Sequence, residues 1–321
     1  MIEKSFRLSN AFRHTFLPNS SRLFSPQNIQ IEIWDINKRA KESKFHPGIF
    51  CMRNIEISNQ GNIFVIRGGC NNGQSEFRIY ETDTLNCIDE FSLMEECSNA
   101  KFTNDDKCLV FGTWSGNIYS YNIEEKKLAK QFSLENHSFN LIHNGKHNNN
   151  LYIAAVIKAS EHNNYANHYI LDYDIAKKTG SQICFADKIN IRRSEDGKVI
   201  QVSGLALHNK KLAILISSYG GKENEKVVST AKTYIYDTET KEITLIKENF
   251  KMRDVFDRHS CIAWSNSGNK LAFIGLNEVY ITDTESNDEK AVPFERASSV
   301  AFSNCDMGIA VGGDKAKLFK I

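Results

Sequence analysis

The sequence predicts an all-β chain folded as a single β-propeller of seven four-stranded blades, closed by the N-terminal strand completing the C-terminal blade. Three observations predict it. A short segment recurs seven times, apolar stretches of strand length precede the copies, and Asn-, Asp-, Gly- and Ser-rich turns separate them.

The recurring segment reads Ile33-Trp34-Asp35-Ile36, Ile79-Tyr80-Glu81-Thr82, Ser120-Tyr121-Asn122-Ile123 and Asp172-Tyr173-Asp174-Ile175. It continues as Ile235-Tyr236-Asp237-Thr238, Ile281-Thr282-Asp283-Thr284 and Leu318-Phe319-Lys320-Ile321. The polar positions 35, 81, 122, 174, 237, 283 and 320 lie 46, 41, 52, 63, 46 and 37 residues apart. That spacing brackets a four-stranded blade of ~40–45 residues, with two insertions.

Ahead of the copies come two further strands. An inner one ends in a polar turn, as at 54–58 before Asn59-Gln60-Gly61, or 261–265 before Asn266-Ser267-Gly268. The same holds for 100–103 before Asn104-Asp105-Asp106 and 300–303 before Asn304-Cys305-Asp306. The second strands, 63–67, 109–113, 151–157, 212–217, 271–275 and 309–312, are predominantly apolar. Stacked blades require this, because such a strand is buried on both faces. More polar fourth strands follow at 87–93, 128–134, 183–186, 243–247 and 291–294. The blades then run approximately 11–48, 49–95, 96–136, 137–187, 197–250, 258–295 and 296–321 plus 1–8. Six or eight blades stay open if 185–205 divides differently. Residues 2–8 read as a spare strand that completes the last blade and removes its exposed edge.

Two segments carry a family resemblance. Residues 31–36, with Trp34-Asp35, resemble the closing segment of a WD repeat, and 262–272, Ile-Ala-Trp-Ser-Asn-Ser-Gly-Asn-Lys-Leu-Ala, resemble the opening of one. His137 and His259 echo the family's Gly-His element. The resemblance covers nearly the whole chain in degenerate repeats. It implies a rigid scaffold that binds proteins.

Composition narrows the function. With 40 Lys+Arg against 39 Asp+Glu, the net charge of +1 speaks against non-specific nucleic-acid binding. Residues 1–8 lack a signal-peptide core, and no apolar run approaches the ~20 residues of a membrane span. The eight cysteines are scattered without a CxxC pair, which predicts free thiols, a reducing compartment and a cytoplasmic location. Cys108 and Cys261 lie in apolar runs and read as small buried hydrophobes.

No catalytic, cofactor or metal site is expected. His143 and His147 have the i, i+4 spacing of a helical zinc pair, but Asn144-Gly145-Lys146 between them is a turn composition. The run Ser217-Ser218-Tyr219-Gly220-Gly221-Lys222 lacks phosphate-loop spacing, and Gly68-Gly69 with Gly73 reads as a hairpin turn. The carboxylates at the third-strand ends (Asp35, Glu81, Asp174, Asp237, Asp283) are expected to cap backbone N–H groups.

The functional clue is uneven loop length. Two insertions within blades, 158–167 and 218–232, and two links between blades, 187–202 and 247–259, are longer than turns require. Blade topology puts all four on one face, over the fourth to sixth blades. They offer Glu161, His162, Tyr165, Arg192, Arg193, Glu195, Tyr219, Lys222, Arg253, Asp254, Asp257 and Arg258 as partner-binding residues. The expected function is a non-catalytic protein–protein interaction module, monomeric by itself, with no nucleic-acid or membrane partner. The alternatives are a dedicated inhibitor or immunity-type protein neutralising a toxin or enzyme, and a propeller hydrolase or lactonase.

Overall fold

The computed structural model describes residues 5–8, 11, 13–69, 73–144, 150–157, 167–174, 177–183, 199–223, 226–253, 260–313 and 315–321. At strand positions 140–144, 157, 167–168, 182, 199–200, 219–223, 226–228 and 253 it describes backbone alone. The strands form seven four-stranded antiparallel sheets, one per blade.

The first blade is β2 (Thr15–Phe16), β3 (Arg22–Pro26), β4 (Ile31–Asp35) and β5 (Ala40–Phe45). The second is β6 (Asn54–Ile57), β7 (Ile63–Gly68), β8 (Ser75–Glu81) and β9 (Cys87–Leu93). The third is β10 (Cys97–Phe102), β11 (Cys108–Thr113), β12 (Asn117–Asn122) and β13 (Lys127–Ser133). The fourth is β14 (His137–Asn144), β15 (Asn150–Ile157), β16 (Asn167–Asp174) and β17 (Thr179–Ile183). The fifth is β18 (Val199–His208), β19 (Lys211–Glu223), β20 (Lys226–Asp237) and β21 (Ile243–Arg253). The sixth is β22 (Ile262–Trp264), β23 (Lys270–Ile274), β24 (Glu278–Asp283) and β25 (Glu289–Pro293). The last joins β26 (Ala297–Phe302), β27 (Gly308–Gly313) and β28 (Lys317–Lys320) to β1 (Phe6–Arg7) from the other end of the chain.

The core lies between blades, and the second strands build it by simple alternation. In β15, Leu151, Ile153 and Ala155 face the third blade's Val110 and Ile118, while Tyr152 and Ala154 join Ile214 and Tyr236 of the fifth. In β19, Leu212 and Ile214 serve one seam and Ala213 and Leu215 the other. In β27, Ile309 and Val311 pack toward the sixth blade and Ala310 toward the first. A period-2 strand that is apolar at every position can only sit between two apolar layers. Aromatic rings fill the wider gaps, as where Phe64 and Tyr80 stack at 5.2 Å and Phe77 meets Phe111 at 4.8 Å.

Closure follows the expected scheme. Phe6 pairs with Leu318 and Arg7 with Lys317, and the Leu8 N–H donates to the Ala316 carbonyl at 2.9 Å. Leu8 is buried with Leu23, Ala310 and Leu318 in the seam between the last and first blades.

Three local expectations change. The fourth strand of the fourth blade is Thr179–Ile183, earlier than 183–186, because a tight turn pairs Asp174 directly with Thr179. Cys261 is buried, and its thiol donates to the Ser203 carbonyl at 2.9 Å, but Cys108 is only half-buried at the entry of β11. The stretch 218–232 is not a loop. β19 and β20 continue as a paired hairpin as far as Glu223 and Lys226. The run Val227-Val228-Ser229-Thr230, β-branched at all but Ser229, favours this extension. β18 and β21 follow it outward, with Val199 paired to Tyr219 and Arg253 to Val228.

Candidate functional site

The strand register defines two faces. In the second blade, Asn54 pairs with Arg67, Gly68 with Glu76 and Ser75 with Leu93. The start of the first strand, the second turn and the exit to the next blade therefore share one face, here the upper. The first and third turns form the lower face.

The lower face is tied down. The Asp106 carboxylate, in the first turn of the third blade, accepts the backbone N–H groups of Asn59 at 2.8 Å and Gln60 at 2.9 Å and the Asn59 amide at 2.7 Å. Asp306 repeats this latch on the sixth blade, accepting from Asn266 N–H at 2.6 Å and Ser267 N–H at 2.8 Å. The Asn304 amide reaches the first blade and donates to the Leu17 and Ser20 carbonyls at 2.6 and 2.9 Å. The third turns are capped by four of the five carboxylates expected: Asp174 accepts the Lys177 N–H at 3.0 Å, whereas the Glu81 carboxylate accepts the Thr84 hydroxyl and, among the described residues, no backbone N–H. Asp35, Asp237 and Asp283 each accept two backbone N–H groups from the residues two and three positions on. Those bonds hold the three carboxyls below the usual aspartate range.

The upper face differs in kind. Of the large apolar side chains in solvent, Ile29, Phe50, Met94 and Trp114 all belong to its turns and links over the first three blades. Phe50 is 77% exposed, Met94 76%, Ile29 53% and Trp114 48%. The backbone beside three of them is anchored by hydrogen bonds. In the link carrying Phe50, Ile49 is buried below, and the Pro47 carbonyl accepts from Arg78 Nη1 and Tyr80 OH, each at 2.7 Å. In the link carrying Met94, the next residue, Glu95, accepts from Thr113 Oγ1 and Asn117 Nδ2 at 2.8 Å and from Tyr119 OH at 2.5 Å. Burial raises the Glu95 pKa, but the three bonds outweigh it and leave the carboxyl below the ordinary value. The Trp114 backbone is fixed from both sides. Its main-chain N–H donates to the Glu96 carbonyl at 3.0 Å, and Gly116 beyond it has φ +79°, where a Cβ would lie 2.3 Å from the Leu134 carbonyl oxygen. Only glycine closes that turn without strain.

Next to the apolar set is a cavity of about 480 Å³ between the first and second blades. It is lined by Arg13, which precedes β2, by Gln27, Ile29 and Gln30 of the β3–β4 turn, and by Arg53 and Asn54 at the start of β6. Among the described residues no acidic one lines it.

Searches for relatives give a structural answer. The chain is similar to the β-propeller domain of Cps50 (Swd1) from Myceliophteria thermophila, with a TM-score of 0.69 over 99% of each chain and 12% sequence identity. The fold is a seven-bladed β-propeller. At that identity the likeness is one of fold. No protein-family model matches the sequence, and no curated protein matches it. The propeller architecture is thus held by the alternating strands and the capped turns.

Of the residues expected to bind a partner, Glu161, His162, Tyr165, Arg192, Arg193, Asp254, Asp257 and Arg258 lie outside the described residues, as does Glu195. Tyr219, Lys222 and Arg253 are strand positions in the extended part of the fifth blade, at its upper end, and not loop residues. His143 lies in β14, paired with Tyr152, so the helical i, i+4 geometry of a zinc pair does not arise there. Among the described residues no group of three or more His, Cys, Asp or Glu is placed to hold a metal, and no helix is long and apolar enough to cross a membrane. Sequence reasoning missed the apolar set and the cavity. Two of its members had a visible signal, since Phe50 follows Pro47-Gly48 and Trp114 precedes Ser115-Gly116, large aromatics inside turn compositions.

Proposed function

We propose that this chain is a non-catalytic protein-binding platform that takes its partner on the upper face. One observation carries the reading: apolar side chains on anchored turns and links stand in solvent over the first three blades of that face, while the lower face is laced by blade-to-blade hydrogen bonds. Exposed aromatic and Met side chains on ordered supports bind with little further loss of freedom, and such residues dominate interface energies. The tall fifth blade, with Tyr219, Lys222 and Arg253, supplies a second contact region on the same face. The similarity to the propeller domain of Cps50 supports the reading at the level of fold.

The test is quantitative capture of partners from the native host by the tagged full-length chain. Phe50→Ser and Trp114→Ala should each weaken recovery of the specific partner about tenfold or more. Met307→Ser, which alters an exposed apolar residue on the lower face, should leave it unchanged. Equal recovery by all three variants would reject the upper face as the binding surface.

A further inference from the structure

We infer that the cavity between the first two blades binds a carboxylate carried by a partner polypeptide, with the Arg13 guanidinium as its counter-charge. The inference rests on the upper face being the binding face. Arg13 is 7% exposed, and among the described residues it has no ion pair and its Nη1 has no acceptor. Asn54, 4% exposed, lines the same cavity, and both its amide nitrogen and its oxygen lack a partner. Buried polar groups are nearly always satisfied, and a buried charge without a counter-ion is costly to the folded state. Two such residues on one cavity point to a ligand that completes them.

The chemistry of the lining defines that ligand. Arg13 presents a planar fork that suits a carboxylate bidentately. The Asn54 amide can donate to the same oxygens. Arg53 also lines the cavity, and among the described residues no carboxylate does. At about 480 Å³ it has room for a whole acidic side chain or chain terminus. Ile29 at the rim, 53% exposed, and Phe50, two residues before the lining residue Met52, give the neighbouring side chains of such a ligand an apolar landing. An acidic residue flanked by apolar ones, or an apolar C-terminus, fits this combination.

A random decapeptide library is screened against the full-length chain, and each binder is remade with an amide in place of its carboxylate. Binding, read by fluorescence polarisation, should weaken at least about tenfold on that change. Arg13→Met should abolish the discrimination. It should also raise the melting temperature, because an apolar residue of similar length removes an uncompensated charge. Because Ile29 is exposed, Ile29→Asp keeps the fold and should repel the carboxylate, while Ile29→Lys should retain it. A screen with no carboxylate-dependent binder overturns the inference. So does a fall in melting temperature for Arg13→Met with the discrimination intact. Binding of N-acetylglutamate alone, with no peptide, overturns the assignment to a polypeptide. If Phe50→Ser loses the natural partner and Ile29→Asp does not, the cavity inference falls while the upper-face reading stands.

Discussion

His14 shows how one residue couples this fold to pH. Its ring is 3% exposed, and among the described residues neither nitrogen has a hydrogen-bond partner. Burial disfavours the imidazolium and pushes the pKa from 6.5 down to about 3. The folded chain therefore holds a neutral ring at pH values where the unfolded chain is already protonated. Between pH 6.5 and about 3 the unfolded state binds the extra proton, so stability is full above 6.5 and falls as the pH falls. The loss is about 1.4 kcal/mol per pH unit, or about 2 kcal/mol by pH 5. His14→Leu removes the titration at similar volume. Urea unfolding at pH 7.5 and pH 5 should show the wild type losing about 2 kcal/mol more than the variant. Equal losses would mean that the ring is solvated or paired.

At the scale of elements, the turns separate the two faces by chemistry. Asp106 and Asp306 each sit at φ +57° and give two carboxylate oxygens to the turn of the preceding blade. Asparagine tolerates that backbone region but keeps only one acceptor oxygen and no charge. Asp106→Asn and Asp306→Asn should each cost about 1 kcal/mol in urea unfolding, and the double variant about 2, since the latches join separate pairs of blades. Partner capture should not change; if it does, the lower face takes part in binding. The latch turns were legible in the sequence as turns, because Asn-Gln-Gly and Asn-Ser-Gly leave few other conformations. Their role between blades was not, because the acceptor lies 39 to 47 residues away in sequence. The second strands were legible because an unbroken apolar run satisfies only a strand buried on both sides. The outward extension of the fifth blade was misread as a loop, since Ser217-Ser218-Tyr219-Gly220-Gly221-Lys222 has turn composition and only the pairing partners 227–230 carry strand preference. The cavity had no sequence signature. It assembles residues 11, 13, 26–30, 52–55 and 66 from separate segments, which only the ring brings together.

At the scale of the whole molecule, the ring is closed by very little chain. Pairing of β1 with β28 involves Phe6–Leu318 and Arg7–Lys317, extended by the Leu8–Ala316 hydrogen bond and the Ala11–Gly313 bridge. Packing does the rest. Leu8 is 2% exposed among Leu23, Ala310 and Leu318, and the Phe6 ring lies 6.3 Å from that of Trp34, in the first copy of the repeat. Without this strand, β28 would present an unpaired edge and a strip of uncovered apolar surface, and such an edge templates pairing with other chains. Truncating Leu8 to Ala should cost about 3 kcal/mol in denaturant unfolding, the range for a large buried aliphatic side chain. A chain lacking residues 1–8 should melt at lower temperature and associate in a concentration-dependent way on size-exclusion chromatography. A synthetic peptide of residues 1–11 should reverse both effects by adding back the missing strand, as edge-strand complementation does elsewhere. An inert peptide, or a truncated chain that stays monomeric at full stability, would show that the interblade seams alone hold the ring shut. Because the upper-face cavity begins at Ala11 and Arg13, only a few residues past β1, the same truncation should also weaken carboxylate-dependent peptide binding, and the added peptide should restore it in step with the melting temperature.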